Sequence, residues 1–118
     1  MPESGLASVE AYYQAMHNKS ISGMAEYLHP DVRFVGPLAQ ISGKEAVLEA
    51  VERLMPFFST ITIRAKFGST DQTMVAYDLN CSEPIGILRV AALMKFDDGL
   101  ISRIELFFDA RPFEKKKD

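Results

Sequence analysis

The chain has 118 residues, 47% hydrophobic and 25% charged, with a net charge of −3, which is the size and make-up of one ordinary globular domain. No stretch approaches the ~20 consecutive apolar residues that span a bilayer. Met1–Ser8 also lacks the basic start and apolar run of a secretory signal, so the expected compartment is the cytoplasm, without membrane contact. The acidic balance argues against nucleic acid as a partner, because phosphate backbones are met by basic surfaces. The sequence reads as one domain over residues 1–118, with flexible ends at about 1–5 and at 114–118, the latter a solvated tail carrying Lys115, Lys116 and Lys117. Cys81 is the single cysteine; it excludes an intrachain disulfide and reads as a small buried hydrophobe.

Leu6, Val9, Tyr12, Tyr13 and Met16 recur at three- and four-residue intervals, predicting a helix from about Ser4 to Asn18. A second short helix follows, capped by Ser20 or Ser22, with Ile21, Met24, Tyr27 and Leu28 on its buried side and His29-Pro30 as its stop. Val32–Val35 reads as a short strand closed by Gly36-Pro37. Ser42 and Glu45 have the spacing of a capping box, and Val47, Leu48, Val51, Leu54, Met55 and Phe58 then follow at helical spacing. Pro56 ends that helix, which spans about Gly43–Met55.

From Ile61 onward the period changes to two, with turn signals at Ser69–Asp71, Glu83–Gly86 and Asp98-Gly99. Four antiparallel strands are expected, at about Ile61–Gly68, Gln72–Cys81, Ile87–Phe96 and Leu100–Asp109. The class is therefore α+β, with helices covering one face of a meander. Alternation assigns Ile61, Ile63, Ala65, Phe67, Val75, Tyr77, Leu79, Cys81, Leu88, Val90, Ala92, Met94, Phe96, Ile104, Leu106 and Phe108 to the helix side. Thr62, Arg64, Lys66, Asp78 and Lys95 fall on the other side, together with Met74, Ala76, Arg89, Ala91, Leu93, Arg103, Glu105 and Phe107. The last eight make an apolar centre edged by both signs of charge, the make-up of a homodimer interface.

This order of elements resembles the nuclear-transport-factor-2-like superfamily, whose fold is cone-shaped and cystatin-like. The likeness runs along nearly the whole chain through His29-Pro30-Asp31-Val32-Arg33-Phe34, Ser42-Gly43-Lys44-Glu45 and Asp98-Gly99-Leu100-Ile101-Ser102-Arg103-Ile104-Glu105 leading into Phe107-Phe108-Asp109. It implies three N-terminal helices and a short strand packed on a curved four-stranded antiparallel meander, with a small-molecule pocket between the layers. The superfamily includes ketosteroid isomerases, SnoaL-like polyketide cyclases and limonene-epoxide hydrolases. The resemblance places the isomerase tyrosine at Tyr12, but it puts Gly36 where that enzyme has its aspartate base and Ala92 where it has its second oxyanion acid. It likewise puts Leu106 at the last-strand carboxylate of the epoxide hydrolases. None of these three side chains can move a proton, so isomerase or hydrolase chemistry by those routes is not expected.

The residues themselves offer Tyr12 and Tyr77 as polar handles, since a buried phenol requires a partner that a ligand carbonyl can supply. Met16, Phe34, Met55, Phe58, Val90, Met94, Leu106 and Phe108 are the expected apolar wall. For catalysis the candidates are Tyr12 and Asp109, the latter beside Arg111. His17 suits the negative end of the first helix; neither His17 nor His29 has a metal-ligand spacing. No phosphate loop or nucleophile elbow is present, so neither a metal nor a cofactor is expected. Three readings follow. The first is a binding domain for a hydrophobic carbonyl-bearing molecule. The second is a cofactor-free isomerase or cyclase lacking the usual aspartates, and the third is a dimerisation module with a filled core.

Overall fold

The computed structural model describes residues 5–69 and 71–111; the expectations about residues 1–4 and the lysine tail fall outside them. Helix α1, Leu6–His17, buries Val9, Tyr12, Tyr13 and Met16, the stripe expected from their spacing. Its start packs tightly on the sheet: a Cβ at Gly5 would stand 2.1 Å from the Phe96 ring, so only glycine permits this approach. The helix ends in a Schellman turn. Lys19 takes the left-handed position at φ 60, its N–H donating to the Met16 carbonyl at 3.0 Å and that of Ser20 to Ala15 at 2.8 Å.

Ser20 then caps α2, Ile21–Ala25, by accepting a hydrogen bond from the Gly23 N–H. The helix is shorter than expected, because Leu28, His29 and Pro30 belong to strand β1, Leu28–Val35, and not to a helix stop. His29 Nδ1 accepts from the Asp31 N–H at 3.0 Å, and Nε2 lies 3.6 Å from the Asp97 carboxylate. A three-residue strand β2, Gln40–Ser42, pairs with β1 and was not evident in the sequence. Helix α3 runs over Lys44–Leu54. The expected capping box does not form: Gly43, at φ 97, is the N-cap, and no side chain caps the helix, since that left-handed turn suits glycine. A 3-10 turn at Met55–Phe57 leads into β3, Phe58–Gly68.

The meander continues through β4, Gln72–Cys81, β5, Ile87–Asp97, and β6, Leu100–Phe107. Its four strands are those expected, but among the described residues the sheet has six, in the order β2-β1-β6-β5-β4-β3, because β1 pairs parallel to β6 and β2 adds to β1. The core formed by Val9, Met24, Val32, Val47, Val75, Ala92, Met94 and Ile101 is fully excluded from solvent.

Two bulges correct the simple alternation. In β3 the register shifts between Ile63 and Ala65, so that Ile63 stays opposite Tyr77 whereas Ala65 and Phe67 come opposite Ala76 and Met74. Ala65 and Phe67 therefore face away from the helices, and Phe67 is 69% exposed. Lys66, expected on the outer face, turns inward and pairs with Glu10 of α1. An extra residue in one strand inverts everything beyond it. The second shift, between Lys95 and Phe96, sets Ile101 opposite Phe96 and buries it completely.

Candidate functional site

Between α3 and the concave side of the sheet lies a cleft of about 260 Å³. Val47, Ala50, Val51 and Leu54 form its helical wall, at the three- and four-residue spacing that puts them on one stripe. Tyr77 and Leu79 of β4, Leu88 and Val90 of β5 and Leu106 of β6 form the sheet wall, being alternate residues on one face of their strands. Phe34, Gly36, Ile41 and Phe108 close one end, where Leu38 and Ala39 of the β1–β2 loop also contribute. Leu38 is 56% exposed and so belongs to the rim.

Of the residues expected to line a pocket, Phe34, Tyr77, Val90, Leu106 and Phe108 meet here. Tyr12, Met16, Met55, Phe58 and Met94 do not line the cleft; they are buried in the core behind it. Asp109 is also away from the lining. Its carboxylate accepts hydrogen bonds from the Arg111 guanidinium at 2.6–3.0 Å, which hold its pKa at about 2. A carboxylate so engaged remains ionised and makes a poor proton acceptor.

The lining residues not expected from the sequence are those of α3 and the β1–β2 loop, with Ile41 of β2, Leu79 of β4 and Leu88 of β5. Their apolar pattern is the same whether a face packs or lines a space; the only local signal is Ala50, a small side chain within the stripe. Gly36 and Leu106 both reach the cleft, and a Cβ added to Gly36 would stand 3.7 Å from that of Leu106. The two positions thus form an apolar corner.

Tyr77 supplies the phenol of the lining. Its ring lies 4.7 Å from that of Tyr13, tilted by 48°, and Tyr13 in turn meets Tyr12 edge-on at 5.2 Å, both within the range of favourable aromatic pairs. Burial pushes the Tyr77 phenol up to about 12, with a side-chain hydrogen bond from Tyr13 pulling the other way. Tyr13 and Tyr12 are raised further, again chiefly by burial. All three are therefore neutral hydrogen-bond donors at physiological pH.

On the far side of Tyr13, a second and polar cleft of about 290 Å³ is lined by Glu10, Gln14, His17 and Lys66 above Ile61 and Ile63. Here the His17 Nδ1 accepts from the Ile61 N–H at 3.1 Å, so the hydrogen bond protects the outer edge of β3. Cys81 is buried, and burial pushes its thiol pKa up, the opposite of an activated nucleophile. Among the described residues no cluster of His, Cys, Asp and Glu is arranged to hold a metal ion, and no helix is long and apolar enough to cross a membrane.

The fold is shared with several solved structures. An NTF2-like protein from Cytophaga hutchinsonii superposes with a TM-score of 0.81 at 18% identity, over 92% of this chain and 93% of that one. A candidate ketosteroid isomerase from Kribbella flavida gives 0.79 at 19% identity, over 95% and 79%. TerC, co-crystallised with polyporic acid, gives 0.79 at 20% identity, over 92% and 94%. Among curated proteins no match was found. The family model of the SnoaL-like domain matches residues 9–104, which takes in α1 through most of β6. By that match, carried on an NTF2-like fold, the chain belongs to the SnoaL-like domain family.

Proposed function

We propose that the protein binds a small hydrophobic molecule in the cleft between α3 and the sheet, with the Tyr77 hydroxyl donating a hydrogen bond to a carbonyl of the ligand. The observation that carries this reading is the composition of the lining, in which Tyr77 is the one residue with a polar side-chain group. That is the usual make-up of a small-molecule site, a greasy wall with few polar groups that fix orientation. The match to the SnoaL-like domain and the ligand co-crystallised with TerC support a small-molecule site, without fixing the ligand class. Binding rather than proton transfer is favoured because Gly36 and Leu106 occupy the corner and Asp109 is held by Arg111.

Titration of the protein with an aromatic ketone and with its methylene analogue tests the reading. The ketone should bind about 3- to 10-fold more tightly, the value of one hydrogen bond, and Tyr77→Phe should abolish that preference. Equal preference in both proteins would contradict the role of Tyr77.

A second reading concerns the outer face. We propose that two copies pair through it, because the β3 bulge brings Phe67 next to Met74. Phe67 and Met74 extend a row to Leu93, while Ala76 and Ala91 lead to Phe107. Arg64 and Asp78 at 3.6 Å, and Arg103 and Glu105 at 3.4 Å, border this apolar centre. Mixed charge around an apolar middle suits a self-complementary, two-fold contact.

A further inference from the structure

The cleft also carries information about which hydrophobic molecules it admits, an inference that rests on the reading of this cleft as the ligand site. We infer that it selects a neutral ligand of about two fused six-membered rings and rejects both carboxylates and tetracyclic ligands.

Size comes first. A cavity of about 150 Å³ lined by aliphatic and aromatic side chains accommodates a single benzene ring. The volume here, about 260 Å³, exceeds that by a factor of roughly 1.7, which is one additional fused ring. The boundaries are not easily enlarged, because Val47 and Val51 belong to α3 and Tyr77 and Val90 to paired central strands. Packed elements of this kind resist extra volume, and overfilling forces strained rotamers. Only the rim at Leu38, in the β1–β2 loop, stands free of such constraint.

Charge follows from what the lining lacks. Among the described residues that line the cleft, none is Lys, Arg, His, Asp or Glu. An anion would surrender its hydration without gaining a counter-charge, a heavy penalty in apolar surroundings. The Tyr77 phenol can satisfy one acceptor atom but cannot neutralise a carboxylate. A planar ring would in addition lie against Phe34 or Phe108, which both reach the cleft.

Isothermal titration of the unmodified protein with 2-acetylnaphthalene, acetophenone, 2-naphthoate and a four-ring ketone tests both limits. The bicyclic ketone should bind at least ~10-fold more tightly than each of the other three, a tenfold ratio being about 1.4 kcal/mol. Naphthoate binding as tightly as the ketone would overturn the charge limit, and a tighter four-ring ketone would overturn the size limit. Should none of the four bind, the reading of the cleft as a ligand site fails, and this inference with it. The pattern of binding therefore separates the two failures.

Discussion

The Lys19 ammonium stands 3.7 Å from the centre of the Phe58 ring while donating to the carbonyls of Met55 and Phe58. One side chain thus ties the end of α1 to the carbonyls that follow α3, where a cation is favoured by the helix dipole. It does so from a left-handed backbone position, φ 60, that an L residue occupies at a cost. Lys19→Met should lose roughly 1–2 kcal/mol, combining the ring contact and the charged hydrogen bonds with a discount for exposure. Lys19→Gly should recover part of this by relieving the backbone. Urea unfolding of both variants measures the difference; a midpoint unchanged in Lys19→Met would mean the contact contributes nothing.

Alkaline pH should unfold the protein cooperatively. Tyr12, Tyr13 and Tyr77 all have pKa values above the ordinary 10.0, mainly because they are buried. Between pH 10 and the folded values, the unfolded chain has lost these protons and the folded chain retains them. The folded state then binds more protons, so stability falls as pH rises, by about 1.4 kcal/mol per pH unit for each tyrosine. Below pH 10 these groups leave stability unchanged. Phenolate absorbance and circular dichroism followed together should show these tyrosines ionising in step with loss of structure; ionisation in a fully folded chain would contradict their burial.

Gly36→Ala should stabilise the chain by roughly 0.4–1 kcal/mol, through a less flexible unfolded state. A Cβ there meets Phe34, Leu106 and the Ala39 carbonyl at 3.6–4.0 Å, ordinary contact distances. The added methyl also narrows the cleft, so the same variant should weaken ligand binding. Thermal melting and titration are the two measurements, and a destabilised variant would show that the space is not as described.

Phe67→Ser and Leu93→Glu should convert a dimer into a monomer with little change in the fold of each copy. Phe67 is 69% exposed, so its loss removes little from the interior. Sedimentation equilibrium at micromolar concentration decides this: a wild-type monomer, or variants that remain dimeric, would remove the proposed interface.

The helices and the four strands of the meander were legible from their periodic runs, such as Val9, Tyr12, Tyr13 and Met16 on α1, and Val75, Tyr77 and Leu79 on β4. Strand β2 was not, since three residues are too few to establish alternation. The bulges were hidden for a physical reason. Phe67 and Lys66 fit an uninterrupted alternation as written, and only the pairing with β4 reveals the inserted residue. The cleft was half legible. Tyr77, Val90, Leu106 and Phe108 follow from strand phase, whereas Tyr12, Met16 and Met94 share that phase or its helical counterpart and yet are packed solid. Periodicity gives the face a side chain occupies, not whether another side chain fills the space in front of it.

The central claim, that the space beside α3 receives a ligand, is tested most directly by methyl NMR of the protein titrated with 2-acetylnaphthalene. Resonances of Val51, Val90 and Leu106, which line the cleft, should shift and saturate together. Those of Val9 and Val32, at 0% exposure in the core, should stay in place, and Ala50→Phe should eliminate the shifts by filling the cleft. Saturating shifts confined to Leu93 and Met74 on the opposite face, or unaltered binding by Ala50→Phe, would contradict it.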